Sequence, residues 1–170
     1  QGDASFQGRK HLIATLKHFA AHGEPESGMN CAPVNVSERV LREVFLYPFK
    51  AAIQEGGAVS VMASYNEIDG VPSHANPWLL RDVLRGEWGF EGFVVSDYYA
   101  IWELYDRPDT HGHHVAADKK EAAALAVRAG VNIELPEPDC YRHLVELVRE
   151  GALEEAQLDE LVRPMLYWKF

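Results

Sequence analysis

The stretch Gly92-Phe93-Val94-Val95-Ser96-Asp97-Tyr98-Tyr99 decides the fold. A short apolar run rich in β-branched residues ends at an acid, and two aromatics follow. Hiding an ionised carboxylate at the end of a buried strand is costly unless partners compensate. Two earlier stretches close in the same way. Leu12-Ile13-Ala14-Thr15-Leu16 runs into Lys17-His18-Phe19, and a run opening at Ala58 passes through Ser60-Val61-Met62-Ala63-Ser64 into Tyr65-Asn66. Three strand ends that carry polar chemistry point to one shared site.

Helical patterns separate these strands. Ser37 supplies an N-cap and Glu38 an acid in the first turn, and Val40, Leu41, Val44, Phe45, Ala52 and Ile53 form an apolar stripe that Gly56-Gly57 ends. Asn76-Pro77 opens a second helix, with Trp78, Leu79, Leu80, Val83 and Leu84 on its apolar face. Further helices are expected over 118–129, 139–150 and 155–169, and a fourth strand over 131–135. Gly-, Pro- and Asn-rich residues 23–35 read as a loop, as do residues 106–115. The result is about four βα units, which implies a parallel sheet with right-handed crossovers. It fits a small doubly wound sheet or half of an eight-fold barrel of ~250 residues. In both, ligands gather beyond the carboxyl ends of the strands, where His18, Tyr65, Asp97 and Glu134 lie.

The chain has 170 residues, 47% of them hydrophobic, enough for a real core. With 16 basic and 26 acidic residues, its net charge of -10 argues against nucleic acid and anionic membrane surfaces. No apolar run approaches the ~18–20 residues of a membrane helix. Residues 1–5 show no export signal, and the chain lacks an initiator Met, so a cut or processed chain is expected and the compartment stays open. Cys31 and Cys140 read as two unpaired thiols.

The bland readings stand beside the functional ones. Asp97 could cap a following helix, and Lys17-His18 could be an ordinary loop pair. Met62 and Tyr65 could fill core space. Glu134 reads as structural. His111, His113 and His114 read as solvated or channel-lining loop residues rather than a metal site. Glu38 and Arg42 form an i,i+4 pair on a solvated helix face.

In order and spacing, several segments together resemble glycoside hydrolase family three. They are Lys17-His18-Phe19, Ser37-Glu38-Arg39, Ser60-Val61-Met62 with Tyr65-Asn66, Gly70-Val71-Pro72, Trp78-Leu79-Leu80, Leu84-Arg85-Gly86-Glu87-Trp88-Gly89-Phe90, Ser96-Asp97-Tyr98 and Ala129-Gly130-Val131. The resemblance implies the second half of a (β/α)8 TIM-like barrel within a larger multidomain chain. It implies that Asp97 is the nucleophile and that Lys17, His18, Met62, Tyr65 and Tyr98 bind or line the sugar pocket. Tyr98 stands where many relatives have Trp, and Met29 where many have Arg. The family's acid/base lies on a following domain, so no residue of this chain is assigned that duty.

The implied activity is retaining hydrolysis of terminal β-D-glycosides, β-glucosides first and β-xylosides second, with Lys17 favouring the charged form of Asp97. Neither metal nor cofactor is called for. The implied partners are a β-linked glucoside, xyloside or short oligosaccharide, the parent chain's other domains, and a second copy as a homodimer; the compartment stays unknown, a periplasmic or secreted parent being the expectation. A non-catalytic carbohydrate-binding or scaffold module and a phosphorylase-type or transglycosylating relative are the alternatives. An N-acetylglucosaminidase is a weaker one, because the loop Ala20-Ala21-His22-Gly23-Glu24 keeps a His but not that branch's Asp-Ser-His pattern.

Overall fold

The computed structural model describes residues 12–107 and 112–170. They form strands β1 (Thr15–Phe19), β2 (Pro33–Val34), β3 (Ser60–Ala63), β4 (Glu67–Ile68), β5 (Val71–Pro72), β6 (Phe93–Tyr98) and β7 (Ile133–Leu135). The main sheet has the order β1-β3-β6-β7, and every pairing is parallel. Spatial order follows chain order. A doubly wound sheet would reverse direction at a switch point; a barrel wall would not.

Register explains which residues face where. Leu16, Val61 and Val94 share one row, and Val61 and Val94 are fully buried under the helices. The alternate row begins with Thr15, Ser60 and Phe93, and the Thr15 hydroxyl donates to Ser60 Oγ at 2.9 Å. Met62, Val95 and Ile133 make the next layer of that face. Asp97, two residues beyond Val95, points the same way at the carboxyl end.

β1 lies three residues later than the sequence pattern suggests. Leu12 is 85% exposed, whereas Phe19 is fully buried with its ring 5.0 Å from Phe49 and 5.8 Å from Trp88. Burial of the larger aromatic sets the register. The peptides Lys17-His18 and Phe19-Ala20 are cis.

The first helical stretch is segmented into α1 (Glu38–Val40), a wide-turned piece (Leu41–Phe45) and α2 (Tyr47–Gln54). Ser37 Oγ accepts the Val40 N–H, as its cap position implied. Pro48 has no N–H to give a regular α-turn, and Leu46 N–H bonds Leu41 C=O across five residues at 2.8 Å. The helix Trp78–Glu87 also has wide turns, and Asn76 Oδ1 caps it by accepting the Leu79 N–H at 3.0 Å. α3 (Lys119–Ala129) is capped by Asp118, and Gly130 ends it at φ 102°. The segment expected to be helical over 139–150 is a 3-10 turn followed by α4 (Leu144–Arg149), and α5 (Glu155–Lys169) follows. Asn132 joins three elements: its Oδ1 accepts the Val94 N–H at 2.7 Å and Arg85 Nη2 at 2.9 Å, while its Nδ2 donates to Leu161 C=O at 2.6 Å.

A small second sheet, β2-β4-β5, was not anticipated. β4 and β5 form a hairpin whose turn residues, Asp69 and Gly70, have φ 50° and 77°. Paired positive φ values are what an Asp-Gly hairpin turn requires, so the dipeptide itself was the missed signal.

Gly92 sits where the chain enters β6. A Cβ there would lie 2.1 Å from Val59 O, which also accepts the Phe93 N–H. The strand cannot retreat without losing that bond. Gly92→Ala is expected to lower stability by about 2 kcal/mol or more, measured by chemical denaturation.

Candidate active site

Asp97 stands at the end of β6, its side chain 14% exposed. Its Oδ1 accepts the Tyr98 N–H at 2.7 Å, and His18 Nε2, from the end of β1, lies 3.3 Å from Oδ2. Burial, with the charges of His22 and Lys17, holds the His18 imidazole below its ordinary value although Asp97 pulls the other way. His18 therefore acts as a neutral hydrogen-bond donor at neutral pH rather than as half of an ion pair. The His18 ring lies 4.5 Å from that of His22, which in turn lies 6.3 Å from Tyr65.

Tyr65 follows β3, and its hydroxyl donates to the Tyr98 C=O at 2.8 Å. Burial first, then the Asp97 carboxylate, pushes the phenol far above its ordinary value, so it keeps its proton. Tyr98 is 55% exposed, with its ring 6.5 Å from that of Tyr99. Met62 sits one layer below Asp97 on the same face, half-buried. Lys17 is set apart from the others. It is exposed and lines a shallow groove with Leu16, Pro48, Phe49 and Ala52 at the sheet edge, and it reaches the site as a charge felt by His18.

Beneath these groups lies a buried polar knot that sequence reading missed. Ala20 C=O accepts from Ser64 Oγ at 3.0 Å and from Asn66 Nδ2 at 3.1 Å, and Ser64 N–H donates to Phe19 C=O at 2.8 Å. Ser73 Oγ lies 3.1 Å from Ser64 Oγ and donates to Asn66 C=O at 2.8 Å. His74, 1% exposed, accepts the Asp97 N–H on Nε2 at 3.1 Å. Burial, then the neighbouring His113, lowers the His74 imidazole to about 3, against the pull of the Ser64 carbonyl. The ring is neutral, with its proton on the nitrogen that faces Ser64. Periodicity could not reveal this residue, which sits in a short turn between β5 and the next helix.

A second polar cluster forms around Glu103 and Tyr99. Glu103, 4% exposed, accepts from Cys31 Sγ at 3.2 Å and pairs with Arg107 at 3.4 Å. The Arg107 guanidinium lies over the Tyr99 ring at 4.1 Å. The His113 side chain, expected to be solvated or channel-lining, is 3% exposed, and its Nδ1 lies 2.9 Å from Glu67 Oε1. The carboxylate offers a nearby partner that water would otherwise supply. His111 falls outside the described residues. Among the described residues no set of three or more His, Cys, Asp or Glu side chains is placed to hold a metal ion. Glu134 serves structure: its carboxylate accepts the N–H groups of Cys140 and Tyr141 at 2.9 and 2.7 Å. Glu38 does pair with Arg42, which also grips Glu87 with both terminal nitrogens.

A chain-ordered parallel sheet with an acid at the third strand's end, and His, Tyr and Met from its neighbours, coincides with a sequence match. Residues 4–167 match the Glycosyl hydrolase family 3 N terminal domain. The chain belongs to that family. It is 40% identical over 160 residues to a putative β-xylosidase of Formosa agariphila, covering 94% of this chain and 20% of the relative. It is 36% identical over 162 residues to a periplasmic β-glucosidase of Salmonella typhimurium, covering 95% and 20%. Among solved structures, a β-glucosidase of Erythrobacter marinus superposes with a TM-score of 0.91 at 41% identity, covering 98% of this chain and 22% of that one. A β-glucosidase of Listeria innocua in complex with glucose gives 0.90 at 42%, covering 99% and 23%. This chain thus spans about a fifth of the length of the curated relatives it matches. The family's N-terminal domain is of the TIM-barrel type, and the open sheet described above is a segment of such a barrel.

The buried neutral His74 ties stability to pH. Its folded-state value is depressed, so its contribution is present above the ordinary value of 6.5 and is lost as pH falls toward about 3. Between pH 7 and pH 5 the wild-type protein should lose about 2 kcal/mol through this group. Denaturation curves at the two pH values should differ by that much less in His74→Gln.

Proposed function

We propose that the full-length protein carrying this chain hydrolyses terminal β-D-glycosides by a retaining double displacement, with Asp97 as nucleophile. β-Glucosides are the first substrate class and β-xylosides the second. The observation that carries this is the carboxylate of Asp97 at a barrel-strand end, with His18 Nε2 3.3 Å from one oxygen and the Tyr98 N–H on the other. The relatives' names support the substrate class.

In the first step an Asp97 oxygen attacks the anomeric carbon. A glycosyl ester forms, and the bond to the leaving oxygen breaks as an acid protonates that oxygen. In the second step water attacks the same carbon and gives its proton to the acid that lost one in the first step, the ester breaks, and Asp97 returns as carboxylate. We assign the acid to no residue of this chain. The remaining barrel wall and the acid/base-bearing domain are further parts of the proposed enzyme.

The neighbouring groups have distinct duties. The Tyr98 N–H on Oδ1 and the His18 ring against Oδ2 orient the carboxylate. The protonated Tyr65 hydroxyl donates next to that carboxylate and keeps the Tyr98 peptide fixed. His22 Nδ1 is buried with no bonded partner among the described residues. Tyr98 provides an aromatic wall, Met62 a floor, and Lys17 a cation at the rim.

A 2-fluoro glucoside with a good leaving group should label the full-length protein on the peptide spanning residues 92–102, and Asp97→Ala should abolish that mass shift. Labelling at a different acid would overturn the reading. Tyr65→Phe removes a hydrogen bond beside a carboxylate, and steady-state kinetics should show kcat/KM lower by about 10–100-fold.

A further inference from the structure

We propose that His74 is a positioning residue for Asp97: its imidazole accepts the Asp97 backbone N–H and so fixes where the carboxylate stands against the strand ends that hold His18 and Tyr65. The inference rests on Asp97 being the nucleophile.

The geometry makes the ring necessary. The ladder between β3 and β6 ends at Met62 and Val95, and the chain after Ala63 turns away into Ser64 and Tyr65. The Asp97 N–H lies past that ladder, and a buried amide without an acceptor is unfavourable. His74 Nε2 takes the place of the missing strand at 3.1 Å. The ring is itself anchored, because the adjoining Ser73 hydroxyl is bonded into the knot of Ser64, Asn66 and Ala20 that closes the ends of β1 and β3. One side chain therefore links the strand that carries the acid to the two that carry its neighbours.

His74 does not reach the pocket. At 1% exposure it lies under the backbone it supports, so its action runs through Asp97. It accepts at Nε2 only while its proton sits on the other nitrogen, the one facing the Ser64 carbonyl. The two ring nitrogens thus have separable tasks, one set by fold and one by the site.

Two amide substitutions separate them. Gln places an acceptor near the Nε2 position, whereas Asn places a donor near Nδ1 and leaves the Asp97 N–H without an acceptor. In the full-length protein, His74→Asn should slow trapping by a 2-fluoro glucoside about 100-fold with KM for substrate changed by less than about 3-fold. His74→Gln should recover the rate to within about 5-fold of wild type. Both variants lose one bond from the knot, so their melting temperatures should be similar. Trapping at Asp97 with equal rates in the two variants, or a wild-type rate in His74→Asn, overturns the positioning role alone. Trapping at another acid removes the nucleophile assignment and this inference with it. If neither variant folds, nitrogen NMR of wild-type protein labelled in histidine decides: His74 must be neutral with its proton on Nδ1, and an Nε2–H tautomer overturns the proposal.

Discussion

A parallel sheet leaves its carboxyl ends short of hydrogen-bond partners, and at the strand that carries the acid one bond meets that shortage. The Asp97 amide passes beyond the β3–β6 ladder and is taken up by the His74 ring. Everything around the acid assumes that arrangement. The turn after β5 must come back under the sheet, the chain after β3 must present the Ser64 carbonyl, and the end of β1 must close onto Ser64 and Asn66. A buried polar cluster of this kind stabilises only when each member is satisfied, which is why residues distant in sequence meet at one point.

The protonation states of the site follow from the same burial. His74 is neutral because a charged ring would be stranded in a dry interior with His113 nearby. His18 is held down by burial and by His22 and Lys17. Tyr65 is held in its protonated form. Each of these groups meets Asp97 or its backbone as a neutral partner. A site built this way offers hydrogen-bond donors to a carboxylate without a fixed cation locked against it, so the attacking oxygen is not tied up in a strong ion pair.

Much of this was legible in the sequence. Apolar periodicity and caps revealed four βα units, and Asp97, His18 and Tyr65 stood out as polar groups at strand ends. The strand order decided between barrel wall and doubly wound sheet, and no local pattern encodes order. β1 was misplaced because Leu12 and Ile13 look as strand-like as Leu16 and Phe19; only packing against Phe49 and Trp88 separates them. Lys17 and His18 were read as a pair, yet the fold brings only His18 to the carboxylate. His74 and Glu103 were invisible because their importance comes from tertiary partners, Asp97 and Cys31, at least 23 residues away in each case, and His113 was read only as a loop residue because its partner, Glu67, is 46 residues away.

The wide turn at Leu41–Phe45 has a consequence for how related chains are aligned. Leu41 and Leu46 are both buried although they stand five positions apart, a spacing that a regular helix would place on different faces. The extra residue acts as a phase slip that keeps both leucines on the core. Deleting it would restore uniform winding but swing α2 by about 100°, carrying Ile53 and Phe49 off the sheet and uncovering Phe19 at the end of β1, next to His18. A one-residue gap drawn through this helix is therefore a structural event, while the same gap in a surface loop is not.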